Sequence, residues 1–164
     1  MDAIILFSHG SLLCGSGLAL NVQAARLRER CLAPIVEIGY LNYCDPPFAE
    51  TVERCVAKGA TRIVVTPYFL VPGYFVKVDL PRCVEAARLA FPDVAFVVAE
   101  PIGFDERLAD ALIASAHCAG GTEHWRDDLK VAARYCRPDS RCPLFATPQC
   151  PKQPGPPAVN REAK

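Results

Sequence analysis

The sequence has no excess of charge of either sign and no long apolar run. Its 164 residues carry 18 basic and 18 acidic side chains, so the formal net charge is zero. A large nucleic-acid interface normally requires a basic excess or a basic stripe, and we therefore predict no nucleic-acid partner. The first apolar run is Ala3–Phe7, far short of the ~20 residues that span a membrane, and no basic segment precedes it. We predict a cytoplasmic protein without a membrane partner.

Histidine is scarce, whereas cysteine is abundant: the chain has three histidines and nine cysteines. A disulfide scaffold is typical of short, loop-rich, exported chains, and the helical patterns of this chain do not fit that class. Cys31, Cys55 and Cys83 fall within helical patterns, where a free cysteine packs as a small apolar residue. We therefore expect mostly reduced thiols.

Strand and helix patterns alternate four times. Short apolar runs predict strands at residues 3–7, 35–41, 62–66 and 94–99, and apolar residues at helical spacing follow each of them. This alternation predicts an α/β fold with a four-stranded parallel sheet and helices on both faces, in flavodoxin-like layers. The third strand lacks polar alternation, so we expect it to be covered on both faces.

Several details of the helices follow from the same patterns. Asp45 and Asp79 are predicted to cap the second and third helices, because prolines follow both of them at positions typical of a first helical turn. Gly59 is predicted to end the second helix. In the fourth helix we expect three residues to face inward: Leu108, Leu112 and Ala116.

The alternation stops after His117. Residues 118–164 are rich in proline and cysteine and hold little that a core could bury. We divide the chain into an α/β domain, residues 1–117, and an extension, residues 118–164, that is partly disordered.

A functional site is predicted at the carboxyl ends of the strands, where ligands bind in open parallel sheets. Four loops lie there: 8–11, 42–45, 67–78 and 100–103. His9 stands directly after the first strand, where packing has no need for an imidazole. The third loop is long and aromatic, which is typical of lids and pocket walls.

Four motifs occur in order within residues 3–117: Ile5-Leu6-Phe7-Ser8-His9-Gly10-Ser11, Gly39-Tyr40-Leu41-Asn42 followed by Pro46, Gly59–Leu70, and Gly73-Tyr74-Phe75-Val76-Lys77-Val78-Asp79-Leu80-Pro81. Together they resemble the small sirohydrochlorin chelatases, the CbiX-type and SirB-type enzymes. The resemblance implies a chelatase fold and a homodimer that inserts cobalt or iron into sirohydrochlorin, a tetrapyrrole, on the route to cobalamin or sirohaem. It implies Co²⁺ or Fe²⁺ as the substrate metal and no tightly bound cofactor.

The resemblance also assigns residues. His9 occupies the position of the family's first metal-binding histidine, so it is the predicted metal ligand and catalytic residue. Phe75 stands where the family's second histidine is usual, and Asn42 where a glutamate is usual. An imidazole can accept a pyrrole proton near neutral pH. The predicted substrate-binding residues are Ser8, Gly10, Ser11, Asn42, Tyr43, Tyr74, Phe75 and Lys77, in which aromatic rings pack the macrocycle and Lys77 meets its carboxylates.

Two alternatives remain open. The loss of two polar ligand positions favours a tetrapyrrole- or metal-binding paralogue with impaired catalysis. The second alternative is a redox sensor with an iron–sulfur cluster or zinc, for which the candidate ligands are Cys118, Cys136, Cys142 and Cys150. No Cys-x-x-Cys pair occurs among them, which weakens that interpretation. Cys44 lies at the predicted site and is a candidate substitute ligand.

Overall fold

The computed structural model describes residues 1–11, 16–103 and 105–119, together with Phe145, Thr147 and Cys150. Within them the elements in chain order are β1 (Asp2–Ser8), α1 (Ser16–Glu29), β2 (Ile35–Tyr40), α2 (Phe48–Ala57), β3 (Arg62–Pro67), a π-helical segment (Phe75–Asp79) that continues into α3 (Leu80–Ala90), β4 (Ala95–Val98) and α4 (Arg107–His117). The predicted α/β alternation is confirmed. The extension 118–164 falls almost wholly outside the described residues, so the division at residue 117 stays a prediction.

The four strands form one parallel sheet in the order β2-β1-β3-β4. β1 pairs with β2 from Ala3 opposite Ile35 to Ser8 opposite Tyr40, and its other edge pairs with β3. The strand order therefore changes direction between β1 and β3. In sheets of this kind the crevice for a ligand opens beside that point, at the carboxyl ends of the two central strands.

Successive side chains of β1 point to opposite faces of the sheet and enter two separate cores. Ile5 and Phe7 pack on the face that α2 and α3 cover, together with residues such as Val52, Val65 and Val84. Leu6 enters the core on the other face, beneath Leu20 and Ala24 of α1. The sheet is thus covered by helices on both faces, as predicted.

An arginine of the preceding helix binds a backbone carbonyl of each edge strand. Arg28 Nη2 donates to the Val36 carbonyl of β2 at 2.6 Å. Arg88 Nη2 donates to the Phe96 carbonyl of β4 at 3.1 Å. Because each edge carries a charged side chain bound to its backbone, pairing with a further strand is disfavoured at both edges.

The predicted Asp45 cap is wrong, and Asp79 precedes α3 as predicted but makes no side-chain cap hydrogen bond. Pro47, not Asp45, precedes the first residue of α2, and no side chain caps that helix. Asp79 has helical angles, φ −75° and ψ −41°, because the π-helical segment runs directly into α3. In that segment the Leu80 amide donates to the Phe75 carbonyl, five residues back. This wider spacing accommodates Pro81, which has no N–H to donate and whose ring disturbs ordinary helical spacing. The prediction that Gly59 ends α2 is confirmed, with φ +85° and its amide bonded to the Val56 carbonyl.

The predicted inward stripe of α4 is wrong for Leu112 and Ala116, and Leu108 is only half-buried. Leu112 is 71% exposed, Ala116 is exposed, and α4 has no buried residue among those described. On β3, Ile63 and Val65 are buried but Val64 and Thr66 are half-buried, so only one face of this strand is fully covered. Helical periodicity predicts which side of a helix is apolar. It does not predict whether other residues of the described part of the chain pack against that side.

The cysteine prediction is correct for two of the three helical positions. Cys55 is buried and Cys83 is half-buried, whereas Cys31 lies just beyond the end of α1 and is exposed. The described cysteines are free thiols: Cys31, Cys44, Cys55, Cys83, Cys118 and Cys150. Separately, none of the helices within the described ranges has both the length and the apolar character needed to cross a membrane.

Candidate active site

His9 and Phe75 meet at the centre of the carboxyl edge. His9 follows β1, and Phe75 begins the helical segment that follows β3. Because β1 and β3 are neighbours, these two segments come together, and the ring centroids of His9 and Phe75 lie 4.0 Å apart at an interplanar angle of 37°. The predicted imidazole therefore lies at the carboxyl edge of the sheet, against the residue that stands where the family has its second histidine.

A backbone hydrogen bond determines the protonation pattern of the His9 ring. Nδ1 lies 2.8 Å from the Gly10 carbonyl oxygen. A carbonyl can only accept, so Nδ1 must carry the hydrogen, and in the neutral ring Nε2 is then the atom with the free lone pair. The side chain is half-buried. The arrangement presents one nitrogen that can bind a metal or accept a proton.

The loops after β1 and β2 are joined through their backbones. Leu41 N donates to the Ser8 carbonyl and Asn42 N to the His9 carbonyl, both at 2.9 Å. Gly10 has φ +81°, and a Cβ at this position would lie 1.9 Å from the Asn42 carbonyl oxygen. Only glycine fits a left-handed position with another backbone so close. These contacts fix the loop that carries His9.

Tyr43 and Cys44 complete this loop pair. The Tyr43 ring lies 5.5 Å from the His9 ring in an edge-on arrangement. Tyr43, predicted to bind substrate, thus contacts the imidazole. The buried Cys44 thiol donates to the Ser11 carbonyl at 3.7 Å, a contact that holds the sulfur within the loop pair.

The segment after β3 presents apolar side chains to solvent, and the segment after β4 packs against it. Leu70 is 63% exposed, Val71 69% and Tyr74 62%. Tyr74 packs edge-on against Phe75 at 6.3 Å. Gly103, after β4, approaches this segment so closely that a Cβ would lie 1.8 Å from the Leu70 carbonyl oxygen. The sequence placed Gly103 in a candidate loop but did not indicate this contact, because a glycine in a loop carries no sign of what lies against it.

The remaining predicted residues are less closely placed. Lys77 is exposed, and its side chain has no hydrogen-bond or ion-pair partner within the described ranges. Cys118 is exposed just beyond α4, and Cys150 is half-buried. Cys136 and Cys142 lie outside the described residues, so a cluster of the four cysteines stays a prediction without support.

Shifted pKa values do not mark this site. Burial raises the pKa of the Cys55 thiol to about 11, with a smaller contribution from Glu37. The hydrogen bonds from Arg107 lower the pKa of Asp105 to about 2. Cys55 belongs to α2 and Asp105 precedes α4, so neither belongs to the segments around His9. The site is recognised by position and contacts.

Within residues 1–11, 16–103 and 105–119, no three histidine, cysteine, aspartate or glutamate side chains converge as metal ligands. A divalent ion at His9 would thus receive one imidazole from this part of the chain. Divalent cobalt, iron or zinc takes four or more ligands. The rest of the coordination shell has to come from elsewhere, for example from a ligand that carries its own nitrogen donors.

Comparisons with known proteins agree in one family. A family model described as CbiX matches residues 3–118. The chain is 34% identical over 137 residues to the sirohydrochlorin cobaltochelatase of Methanocaldococcus jannaschii, covering 69% of this chain and 96% of that protein. It is 32% identical to the sirohydrochlorin ferrochelatase of Priestia megaterium, covering 69% of this chain but only 42% of that longer protein.

A solved structure agrees with the sequence relatives. The sirohydrochlorin chelatase SirB from Bacillus subtilis subspecies spizizenii, in complex with cobalt, aligns with a TM-score of 0.67 at 25% identity. The alignment covers 77% of this chain and 58% of that one. The chain thus spans nearly the whole archaeal relative and about half of the bacterial ones.

Proposed function

The chain belongs to the CbiX family, and from that premise we propose that it is a chelatase that inserts a divalent metal ion, cobalt or iron, into sirohydrochlorin. The relatives described above carry both metals in their descriptions. The observation that carries the proposal is the His9 ring at the carboxyl end of β1, where the bond from Nδ1 to the Gly10 carbonyl leaves the lone pair of the neutral ring on Nε2. Metal and tetrapyrrole are both substrates.

Metal insertion requires a proton acceptor. The macrocycle loses two pyrrole N–H protons as its nitrogens bind the ion, so the charge of the entering M²⁺ is balanced by two departing H⁺. Nε2 of His9 is a suitable first acceptor, since a neutral imidazole takes a proton near neutral pH. The same lone pair can hold the ion before transfer. Nε2 therefore acts first as ligand and then, as the ion passes to the macrocycle nitrogens, accepts one of the two pyrrole protons. The second proton passes to solvent water.

The proposed macrocycle surface comprises both sides of the crevice. Phe75 and Tyr74 offer aromatic faces, and the exposed Leu70 and Val71 extend the apolar surface beside them. Large flat ligands bind to surfaces of this kind when a few polar groups fix their orientation. Four residues supply those groups from the loop pair: Ser8, Gly10, Ser11 and Asn42. Lys77 is exposed and carries a charge that suits a peripheral carboxylate.

The single imidazole has a consequence for the order of binding. With Phe75 and Asn42 at the family's other ligand positions, the described residues offer no preformed metal cage. We infer that the ion binds weakly to the protein alone and gains most of its ligands from the macrocycle nitrogens. The expected result is that Co²⁺ affinity rises strongly once sirohydrochlorin is present.

We further propose that the protein acts as a homodimer, as the family resemblance implies. Leu112 and Ile113 on α4 and Val97 on β4 are exposed apolar residues that a second copy would cover. Sedimentation velocity tests this directly, and a monomer at micromolar concentration would contradict it. The cytoplasmic location stays a prediction.

The decisive test is the insertion assay with matched histidine variants. Purified protein is mixed with sirohydrochlorin and Co²⁺ or Fe²⁺, and the absorbance change is followed above the protein-free rate. His9→Ala is expected to lower the rate by at least about 100-fold, the usual contribution of a general base. His117→Ala removes an exposed histidine at the end of α4 and is the control, with a rate within about twofold of the parent. If both variants insert metal at the rate of the parent, the proposed role of His9 as ligand and proton acceptor is wrong.

Phe75→His tests the missing ligand. The new imidazole would stand beside His9, at the place of a ring now 4.0 Å away. A second nitrogen donor is expected to tighten Co²⁺ binding to the protein alone by about tenfold, equivalent to ~1.4 kcal/mol. Calorimetric titration with Co²⁺ measures it. Unchanged affinity would show that the two rings do not converge on one ion.

A further inference from the structure

Two residues other than glycine have left-handed backbone angles within the described ranges: Cys31, with φ +51°, and Tyr43, with φ +62°. Cys31 follows Arg30, just beyond the end of α1, and is exposed, at a place where left-handed residues commonly end helices. Tyr43 is different. It lies in the loop after β2, and for a bulky aromatic residue this conformation is a genuine outlier.

The turn around Tyr43 is tight and pressed against the His9 loop. Cys44 N donates to the Asn42 carbonyl at 2.7 Å, which closes a three-residue turn with Tyr43 at its centre. A turn of this kind with a positive central φ is a γ-turn of the rare, strained type. Asn42 N in turn donates to the His9 carbonyl. The strained turn is therefore tied by its backbone to the residue that its central ring contacts.

The His9 ring is in contact with two aromatic rings. Phe75 packs against it at 4.0 Å and a tilt of 37°, and Tyr43 meets it edge-on at 5.5 Å and 70°. Two neighbours at different angles restrict rotation of the imidazole about its side-chain bonds. They thereby favour the one orientation in which Nδ1 reaches the Gly10 carbonyl. Strained backbone persists at functional sites where the surrounding structure holds it in place.

We propose that Tyr43 is a positioning residue for His9, and that the strained turn serves to hold its ring against the imidazole so that Nδ1 stays bonded to Gly10 and Nε2 stays available. Tyr43 acts on His9 rather than on the macrocycle. The kinetic part of this inference rests on the proposed metal insertion, whereas the orientation of the ring can be measured without any substrate.

The test replaces the ring but keeps the turn. Asparagine tolerates left-handed angles and glycine adopts them freely, so Tyr43→Asn and Tyr43→Gly remove the aromatic contact without adding backbone strain. Tyr43→Phe retains the ring. Cys31→Asn makes a similar change at the other left-handed position, away from the site, and is the matched control. Circular dichroism confirms that each variant is folded.

The first readout is the tautomer of His9, measured by long-range ¹H–¹⁵N correlation spectra above neutral pH and assigned with His9→Ala. The parent, Tyr43→Phe and Cys31→Asn are expected to show a hydrogen on Nδ1. Tyr43→Asn and Tyr43→Gly are expected to show a mixture of the two tautomers, because the hydrogen bond to Gly10 is no longer enforced. An unchanged Nδ1–H tautomer in both ringless variants would overturn the proposal.

The second readout is the kinetics of insertion. A misplaced acceptor lowers kcat, and we expect a fall of about tenfold in the ringless variants with KM within about twofold of the parent. If KM rises while kcat is unchanged, Tyr43 contacts the substrate and the positioning role is wrong. If the parent protein itself inserts no metal, the proposed function fails, and the tautomer measurement still decides the role of Tyr43.

Discussion

The two halves of the carboxyl edge are built differently. The loops after β1 and β2 are joined by backbone hydrogen bonds and enclose a half-buried imidazole. The segment after β3 leaves Leu70, Val71 and Tyr74 mostly exposed, and Gly103 of the segment after β4 packs against it. The first half is thus organised before any ligand arrives, as a group that moves a proton requires. The second half offers apolar surface, which gains free energy only when a large ligand or another chain covers it.

In each half, one glycine lies against a backbone carbonyl of the neighbouring loop. The packing of the two halves can therefore be compared by the same substitution, glycine to alanine. Gly10 joins the loops after β1 and β2, and Gly103 joins those after β3 and β4. Two other glycines supply controls. Gly59 has a left-handed φ of +85° with only a methionine side-chain atom 3.9 Å from a Cβ, and Gly73 has nothing within 4 Å.

The largest loss of stability and activity is expected from Gly10→Ala, which disturbs the packing of the loops after β1 and β2. The new Cβ meets the Asn42 carbonyl and the backbone has φ +81°, so steric overlap and conformational strain add. We expect the free energy of unfolding to fall by about 3 kcal/mol and metal insertion to be lost. Urea denaturation measures the first and the absorbance assay the second.

Gly59→Ala separates conformational strain from steric overlap, the two causes of destabilisation expected in Gly10→Ala. Its left-handed angle is nearly the same, but no backbone atom is close, so only strain is expected, at about 1 kcal/mol. Insertion activity should be retained, because Gly59 lies beyond α2 at the opposite end of the sheet. Equal losses of stability for Gly10→Ala and Gly59→Ala would show that the loops after β1 and β2 are not packed as closely as described.

The next largest loss of stability is expected from Gly103→Ala, which disturbs the packing of the segments after β3 and β4. A Cβ would overlap the Leu70 carbonyl at 1.8 Å, but φ at this position is not left-handed. We expect a loss of about 1–2 kcal/mol in unfolding free energy, less than for Gly10→Ala, because strain is absent and the loop lies at the edge of the sheet. Gly73→Ala is the control, with a change within about 0.5 kcal/mol. A loss for Gly103→Ala no larger than for Gly73→Ala would contradict the contact.

The different organisation of the two halves also explains how far the sequence predicts the site. Buried parallel strands read as apolar runs, so the sheet and its carboxyl edge were predictable, and with them the positions of His9 and Phe75. The contact between these rings was not, because it depends on the π-helical segment that brings Phe75 over the edge. Asp79 followed by Leu80 and Pro81 has the composition of a helix start, and only the hydrogen bonds of the preceding residues reveal that the helix begins earlier.

Tyr43 and α4 show two further limits. The left-handed angle of Tyr43 belongs to a turn whose Asn42 amide is bonded to the His9 carbonyl. The residue types at positions 42–45 do not indicate this contact between loops that are far apart in the chain. The apolar stripe of α4 was identified correctly as apolar, but it lies exposed. Local patterns predict which elements form and which side is apolar. Contacts between distant segments and the cover of an apolar face are properties of the assembled structure.

The smallest effect on stability is expected from Val71→Ser, a substitution in the second half of the edge. Val71 is 69% exposed, so Val71→Ser removes little buried surface, and the free energy of unfolding should change by no more than about 0.5 kcal/mol. If the apolar half binds the macrocycle, the loss of this contact raises KM for sirohydrochlorin by about threefold to tenfold while kcat is retained. Val22→Ser, at a valine of α1 that is 42% exposed and lies away from the edge, is the control and should leave KM unchanged. A fall in kcat for Val71→Ser with unchanged KM would mean that the second half takes part in the chemical step. The assignment of proton transfer to the first half and macrocycle binding to the second would then be wrong.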